Sequence, residues 1–261
     1  MSEASAGAGR GAGELMVLCY HAVSDSWPSP AAISPRALRT QLRWLLKRGY
    51  RPMTLSAALA EGAPRKAVAL TFDDAYLSIL TKGLPVLAEL GVPATVFVPT
   101  EAAASAGSMS WSELAQWAGG EHEHELRCMS WDQLRELSRQ GWEIGSHTCS
   151  HPRLTELPSA QAASELSRSR ATCEEKVQRP CLSLAYPFGD YDEAVMRLAA
   201  AAGYRVAVTL DERLSASLRG RGPLEVPREA IYRSTSLPLF VAKTSRLLRA
   251  LRTSRPYASL A

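Results

Sequence analysis

Two short clusters in this sequence carry residue types that can do chemistry. Thr71-Phe72-Asp73-Asp74 ends an apolar run in two adjacent carboxylates. Neighbouring side chains in extended chain point to opposite sides, so one carboxylate can hold a cation while the other faces a water. The competing role is helix capping, with either aspartate accepting from the free N–H groups of the next helix. The second cluster is His147-Thr148-Cys149-Ser150-His151-Pro152. The chain has only five histidines, and two of them stand here four apart. Neutral imidazole is a common metal ligand, and this spacing lets two rings converge. Pro152 disfavours the α region for His151, so the segment reads as a shaped loop. Two surface histidines are the plainer alternative. Two histidines plus one carboxylate leave coordination positions open, as catalytic metal sites require. Cys149 could add a thiolate, but small buried thiols are common without that role.

These clusters need elements to position them. Apolar runs fall at 15–20, 67–72, 94–98, 142–146, 182–186, 205–210 and 225–232. Helix-like segments lie between them at 35–48, 77–90, 130–140, 159–177 and 191–202. Ser34-Pro35 reads as an N-cap followed by the first helical residue. Ser130 with Gln133 has the capping-box spacing. Gly49, Gly91, Gly141 and Gly203 stand where helices end. Strand runs alternating with helices imply parallel strands, and near-continuous apolar runs imply burial on both faces. The expected fold class is α/β, a single-domain (β/α) barrel of about seven parallel strands, with a doubly wound open sheet as the alternative. His21, Asp73, Asp74, His147 and Phe188 each follow a run, at the strand end where both architectures build active sites.

The chain has 261 residues, 46% hydrophobic and 21% charged, which suffices for a sizeable core. A net charge of +4 permits an acidic partner without arguing for one, and no nucleic-acid partner is expected. No run approaches the roughly 20 apolar residues that span a membrane. Residues 1–14 lack the charged-then-apolar layout of an export signal and read as a disordered lead, so a cytoplasmic protein is expected. Five cysteines without a CxxC spacing suggest reduced thiols. Residues 15–240 are taken as one barrel and 241–261 as a basic C-terminal helix or tail. That tail carries Lys243, Arg246, Arg249, Arg252 and Arg255. It suits a solvated face, or contact with membrane phosphates or an anionic substrate.

Together, TFDD and H-T-x-x-H-P, about 70 residues apart, resemble the first two motifs of the polysaccharide deacetylase family (the NodB-homology domain, carbohydrate esterase family four). Ala185-Tyr186-Pro187-Phe188-Gly189 has the place of its third motif. The resemblance covers roughly residues 15–240 and implies a deformed barrel. It also implies Asp73 as catalytic base and Asp74, His147 and His151 as ligands of a divalent metal. Zinc suits such a site first, with cobalt, nickel or manganese able to serve. The family's usual late histidine, which protonates the leaving amine, is absent here. Tyr20-His21-Ala22-Val23 instead resembles the opening of a circularly permuted branch that includes poly-N-acetylglucosamine deacetylases. There the early histidine takes the acid role, so His21 is assigned to it. A histidine bonded to backbone at a strand end is the alternative. The backbone N–H of Phe188 is the expected oxyanion donor, with Gly189 allowing close approach. Arg228 is a candidate to orient the base in place of a missing third-motif arginine; a surface salt bridge is its other explanation. Trp111, Trp131 and Trp142 could stack on sugar, but such residues more often form core, and no site role is assigned to them. The implied substrate is an N-acetylated amino sugar in a polysaccharide, glycolipid or saccharide precursor. The rival is a non-catalytic glycan-binding or scaffold protein on a decayed barrel.

Overall fold

The structure is a computed structural model that describes residues 16–60, 62–210 and 222–245. Two long apolar runs become β1 (Met16–Tyr20) and β5 (Ala67–Phe72), with every residue buried. Strands apolar on both faces need cover on both, which parallel strands with crossover helices supply. The other strands are β2 (Ala22–Val23), β3 (Ala32–Ile33), β4 (Arg51–Met53), β6 (Thr95–Val98), β7 (Glu143–Ser146), β8 (Ser183–Ala185), β9 (Val206–Val208) and β10 (Glu229–Ala230). Eight of these ten strands join one sheet in the order β10-β1-β5-β6-β7-β8-β9, with β4 branching from β5. All pairings within it are parallel.

The sheet curls. One edge of β5 is shared, its first half pairing with β4 and its last two residues with β6. The segment 226–230 then joins the two ends. Val226 bridges Val208 of β9, while β10 pairs with β1. The fold is the deformed barrel rather than the open sheet. Alternate residues sort to its two sides. Met16, Leu18 and Tyr20 belong to the main core under the helices, whereas Val17 packs inside with Ala67, Ala69, Phe97, Ala185, Val208 and Val226. Phe97 fills this narrow interior because its neighbours are small. A Cβ at Gly145 would lie 2.5 Å from the Phe97 ring and 2.6 Å from Ser183 Oγ.

Helix starts follow their caps. Ser34 Oγ accepts from Ala37 N at the start of α1 (Pro35–Lys47). Both halves of the capping box form at Ser130 and Gln133, before the 131–139 helix. The predicted helix at 77–90 differs from a regular one. It passes through a π-helical turn at Ile79–Gly83, where Leu84 N reaches back to Ile79 O, before an α-helical stretch at Leu84–Glu89. Pro85 has no N–H to give Thr81, and its ring crowds that carbonyl, which favours the wider turn. The predicted strand at 225–232 narrows to β10 plus the Val226 bridge.

The last described helix, Leu237–Thr244, crosses the expected boundary at 240/241. Lys243 does not lie on a solvated basic face. It is buried, donates to Ala230 O at 3.0 Å and sits 3.9 Å from Glu229. The carbonyl and carboxylate of β10 draw the ammonium inward. Arg246, Arg249, Arg252, Arg255 and the 1–14 lead lie outside the described residues. Among the described residues no helix is long and apolar enough to cross a membrane.

Candidate active site

Parallel strands in register bring their C-terminal ends to one rim. Tyr20 pairs with Phe72, so His21 and Asp73 leave adjacent strands side by side. His147 follows β7 and the Phe188 loop follows β8. Seven non-glycine residues with positive φ occur among the described residues, and five are here: Asp74, Ala75, Thr148, His151 and Phe188. Such conformations are costly for L-residues and persist where surrounding structure over-determines them, as at functional sites.

Asp74, His147 and His151 converge. Both Nε2 atoms lie 3.5 Å from Asp74 Oδ1, and all three side chains are buried. At that distance the contacts are too long for good hydrogen bonds, and Oδ1 has no hydrogen-bond partner. His147 Nδ1 donates to Ala185 O at 2.8 Å, which leaves Nε2 facing the cluster. Burial pushes His147 down, but the Asp74 carboxylate overrides it and holds the ring above its ordinary value. His151 is pushed down to about 4, first by burial and then by His147. The cluster thus has an unmet demand for positive charge. Two imidazole nitrogens and an orphaned buried carboxylate oxygen fit a divalent cation.

Asp73 is the opposite case. Arg228 grips it with two parallel bonds, Nη1 to Oδ1 at 2.7 Å and Nη2 to Oδ2 at 2.6 Å. Both residues are buried. Arg228 also donates to Thr71 Oγ1 at 3.0 Å and Thr209 O at 3.1 Å. Burial pushes the Asp73 carboxyl up, but the Arg228 charge outweighs it and holds the group well below the usual carboxylate range. Burial pushes the Cys19 thiol up, so it stays protonated and donates to Asp73 Oδ2 at 3.4 Å.

A cavity of about 330 Å³ opens over both groups, lined by His21, Asp73, Asp74, His147, His151 and Phe188 among others. His21 is half-buried, with its Nδ1 shielded and without a hydrogen-bond partner. Phe188 has φ 60° and sets its ring edge-on to His151 at 4.6 Å. Gly189 serves a different close approach from the expected one. A Cβ there would meet Leu210 at 2.7 Å, so the glycine lets the loop pack on the protein itself. Of the three tryptophans, Trp111 lines the cavity, while Trp131 and Trp142 pack in the core. Cys149 stands apart from the metal cluster; its N–H and thiol both donate to Glu165. Cys19, Thr71, Tyr76, Trp117, Thr209 and Tyr232 also stand around the site, with no role assigned to them from the sequence. Only their places at the ends of apolar runs could have marked Cys19 and Thr71.

The chain belongs to the polysaccharide deacetylase family, whose family model matches residues 60–207. That span holds Asp73, Asp74, His147, His151 and Phe188, whereas His21 and Arg228 lie outside it. The chain spans less than two thirds of the length of the curated relatives it matches here. It is 27% identical over 203 residues to YxkH of Bacillus subtilis, provisionally named a polysaccharide deacetylase, covering 76% of this chain and 65% of that protein. It is 28% identical over 153 residues to the poly-beta-1,6-N-acetyl-D-glucosamine N-deacetylase of Escherichia coli, covering 51% of this chain but only 20% of that one. Among solved structures it resembles the Streptococcus pyogenes deacetylase PplD in complex with acetate, with TM-score 0.73, 21% identity and coverage of 90% and 99%. It also resembles IcaB from Ammonifex degensii, with TM-score 0.68, 26% identity and coverage of 90% and 99%.

Proposed function

We propose that this chain is a metal-dependent N-deacetylase that removes acetyl groups from amino sugars of a poly-N-acetylglucosamine-type glycan. The observation that carries this reading is the pairing of two unlike carboxylates at one rim. Asp74 shares an orphaned oxygen with His147 and His151, and Asp73 beside it is held ionised by Arg228. Asp74, His147 and His151 would hold the cation. Zinc matches this donor set, and cobalt, nickel or manganese can take its place. When bound, such an ion would polarise an acyl carbonyl and lower the pKa of a bound water to about 7.

The chain's own groups do the rest. Asp73 takes the proton of the attacking water at a carboxylate oxygen, and Arg228 keeps that carboxylate ionised and fixes its plane. The backbone N–H of Phe188 donates to the oxygen that gains charge as the carbonyl carbon becomes tetrahedral. His21 carries a proton at Nε2, the ring nitrogen other than the shielded Nδ1, and delivers it to the departing sugar nitrogen. Amines leave poorly unless protonated, so this step is worth about 10²–10⁴ in rate. A decayed, purely glycan-binding barrel would gain nothing from burying an ionised Asp73 at this rim. The test is acetate release from oligomers of N-acetylglucosamine, with zinc or cobalt supplied. Release that disappears in Asp73→Asn and His21→Gln supports the assignment. Tight glycan binding with no acetate release under any metal would overturn it.

A further inference from the structure

The two histidines of the cluster are held by different means. A metal-ligating histidine ordinarily donates its other ring N–H to a carboxylate, a carbonyl or water, which fixes the ring's orientation. His147 does so, through Nδ1 to Ala185 O at 2.8 Å. His151 does not. Its Nδ1 is buried and has no hydrogen-bond partner. Aromatic faces surround the ring instead. Trp111 stacks on it with centroids 4.2 Å apart and planes 22° apart. Phe188 meets it edge-on at 4.6 Å, and His147 does the same at 4.7 Å.

The stack is also closed on itself. Arg153, two residues beyond His151, places its guanidinium 4.1 Å above the Phe188 ring. The same guanidinium lies 3.6 Å from Glu113, two residues beyond Trp111. The segment that carries Trp111 is therefore clasped to the loop that carries His151. Trp111 lies flat on the ligand's ring as well as in the cavity wall.

We infer that Trp111 is a positioning residue for the metal site: by stacking on His151 it does the orienting that a hydrogen bond does for His147. The inference rests on the metal-site reading above. It predicts that Trp111 governs metal retention more than sugar contact. Removing the indole leaves the His151 ring free to turn about its Cβ–Cγ bond, and no hydrogen bond at Nδ1 restores it.

The experiment measures zinc and cobalt dissociation constants of the full chain by competition with a chromophoric chelator. It also records the visible spectrum of the cobalt form, which reports coordination geometry. Trp111→Ala should weaken both metals by about 10–100-fold, the range seen when an orienting partner of a ligand is lost. It should also alter the cobalt spectrum. Trp111→Phe, which keeps a flat ring, should recover most of the affinity. If the alanine variant does not fold, Trp111→Leu carries the same comparison against Trp111→Phe. Metal affinity within twofold of wild type in Trp111→Ala or Trp111→Leu overturns the inference, all the more so if KM for the glycan rises. A wild-type chain that binds neither ion overturns the metal site itself, and so separates the two failures.

Discussion

Asp73 and Asp74 are consecutive, yet one has both oxygens on Arg228 at 2.7 and 2.6 Å while the other offers Oδ1 to two imidazoles at 3.5 Å with no hydrogen bond there. The alternation of side chains at a strand end sends them into separate settings. The Asp73 half is complete within the chain. Its charge is cancelled by Arg228, and Thr71, Thr209 and Cys19 use the remaining bonds. The Asp74 half is incomplete without something from outside. Completeness suits a group that must stand ionised before it acts, and incompleteness suits a group that must receive a ligand.

The strongest way to break this contrast is to remove the outside component. Chelation, or Asp74→Ala, His147→Ala or His151→Ala, should abolish acetate release and metal content together, with the chain still folded by circular dichroism. A chelated protein that retained full activity would refute the division. The next largest effect should come from the proton-carrying groups. Asp73→Asn and His21→Gln should each lower kcat on an N-acetyl sugar by about 10²–10⁴. For His21→Gln the loss should shrink on an activated acetate ester, whose leaving group needs no proton. Equal losses on both substrates would remove His21 from the acid role.

The contrast is sharpened by stability. Arg228→Met strands a buried carboxylate and should cost about 3–5 kcal/mol in denaturant unfolding. Adding Asp73→Asn to it should recover part of that loss, because the stranded charge goes with it. The same pair shapes the acid limb. The Asp73 carboxyl is lower in the folded chain than in the unfolded one. Its stabilisation is therefore fully present above the unfolded value of about 4, and is lost as pH falls below it. Following the urea midpoint from pH 6 downward should show a steeper fall in wild type than in Asp73→Asn. The smallest effect concerns neither aspartate. Gly145→Ala drives a methyl into Phe97 and Ser183 and should cost about 1–3 kcal/mol, with metal affinity unchanged.

Much of the frame was legible in the chain. Runs such as LMVLCY and AVALTF announced parallel strands because they are almost continuously apolar, and Ser34-Pro35 and Ser130 announced helix starts by backbone chemistry alone. Asp74, His147 and His151 were legible as types and spacings. What joins Asp73 to Arg228 was not, since the two stand 155 residues apart, and no local pattern encodes a contact made by closing a barrel. The Trp111 stack was hidden for the same reason, as its partner lies 40 positions on. The strand expected at 225–232 is shorter because Glu225, Pro227 and Arg228 break its apolar pattern, and the ladder pairs only Glu229 and Ala230. Lys243 was misplaced because helical spacing says which residues share a face but not which face meets a strand.

The segment 226–230 joins β9 to β1 and also carries Arg228. One consequence concerns the order of assembly. A chain emerging from the ribosome presents Asp73 long before Arg228, so early intermediates must leave that carboxylate in water or protonate it. Only when the closing segment docks does burying the ionised acid become favourable. The seam is thus a checkpoint, because a barrel that fails to shut also leaves Asp73 without Arg228.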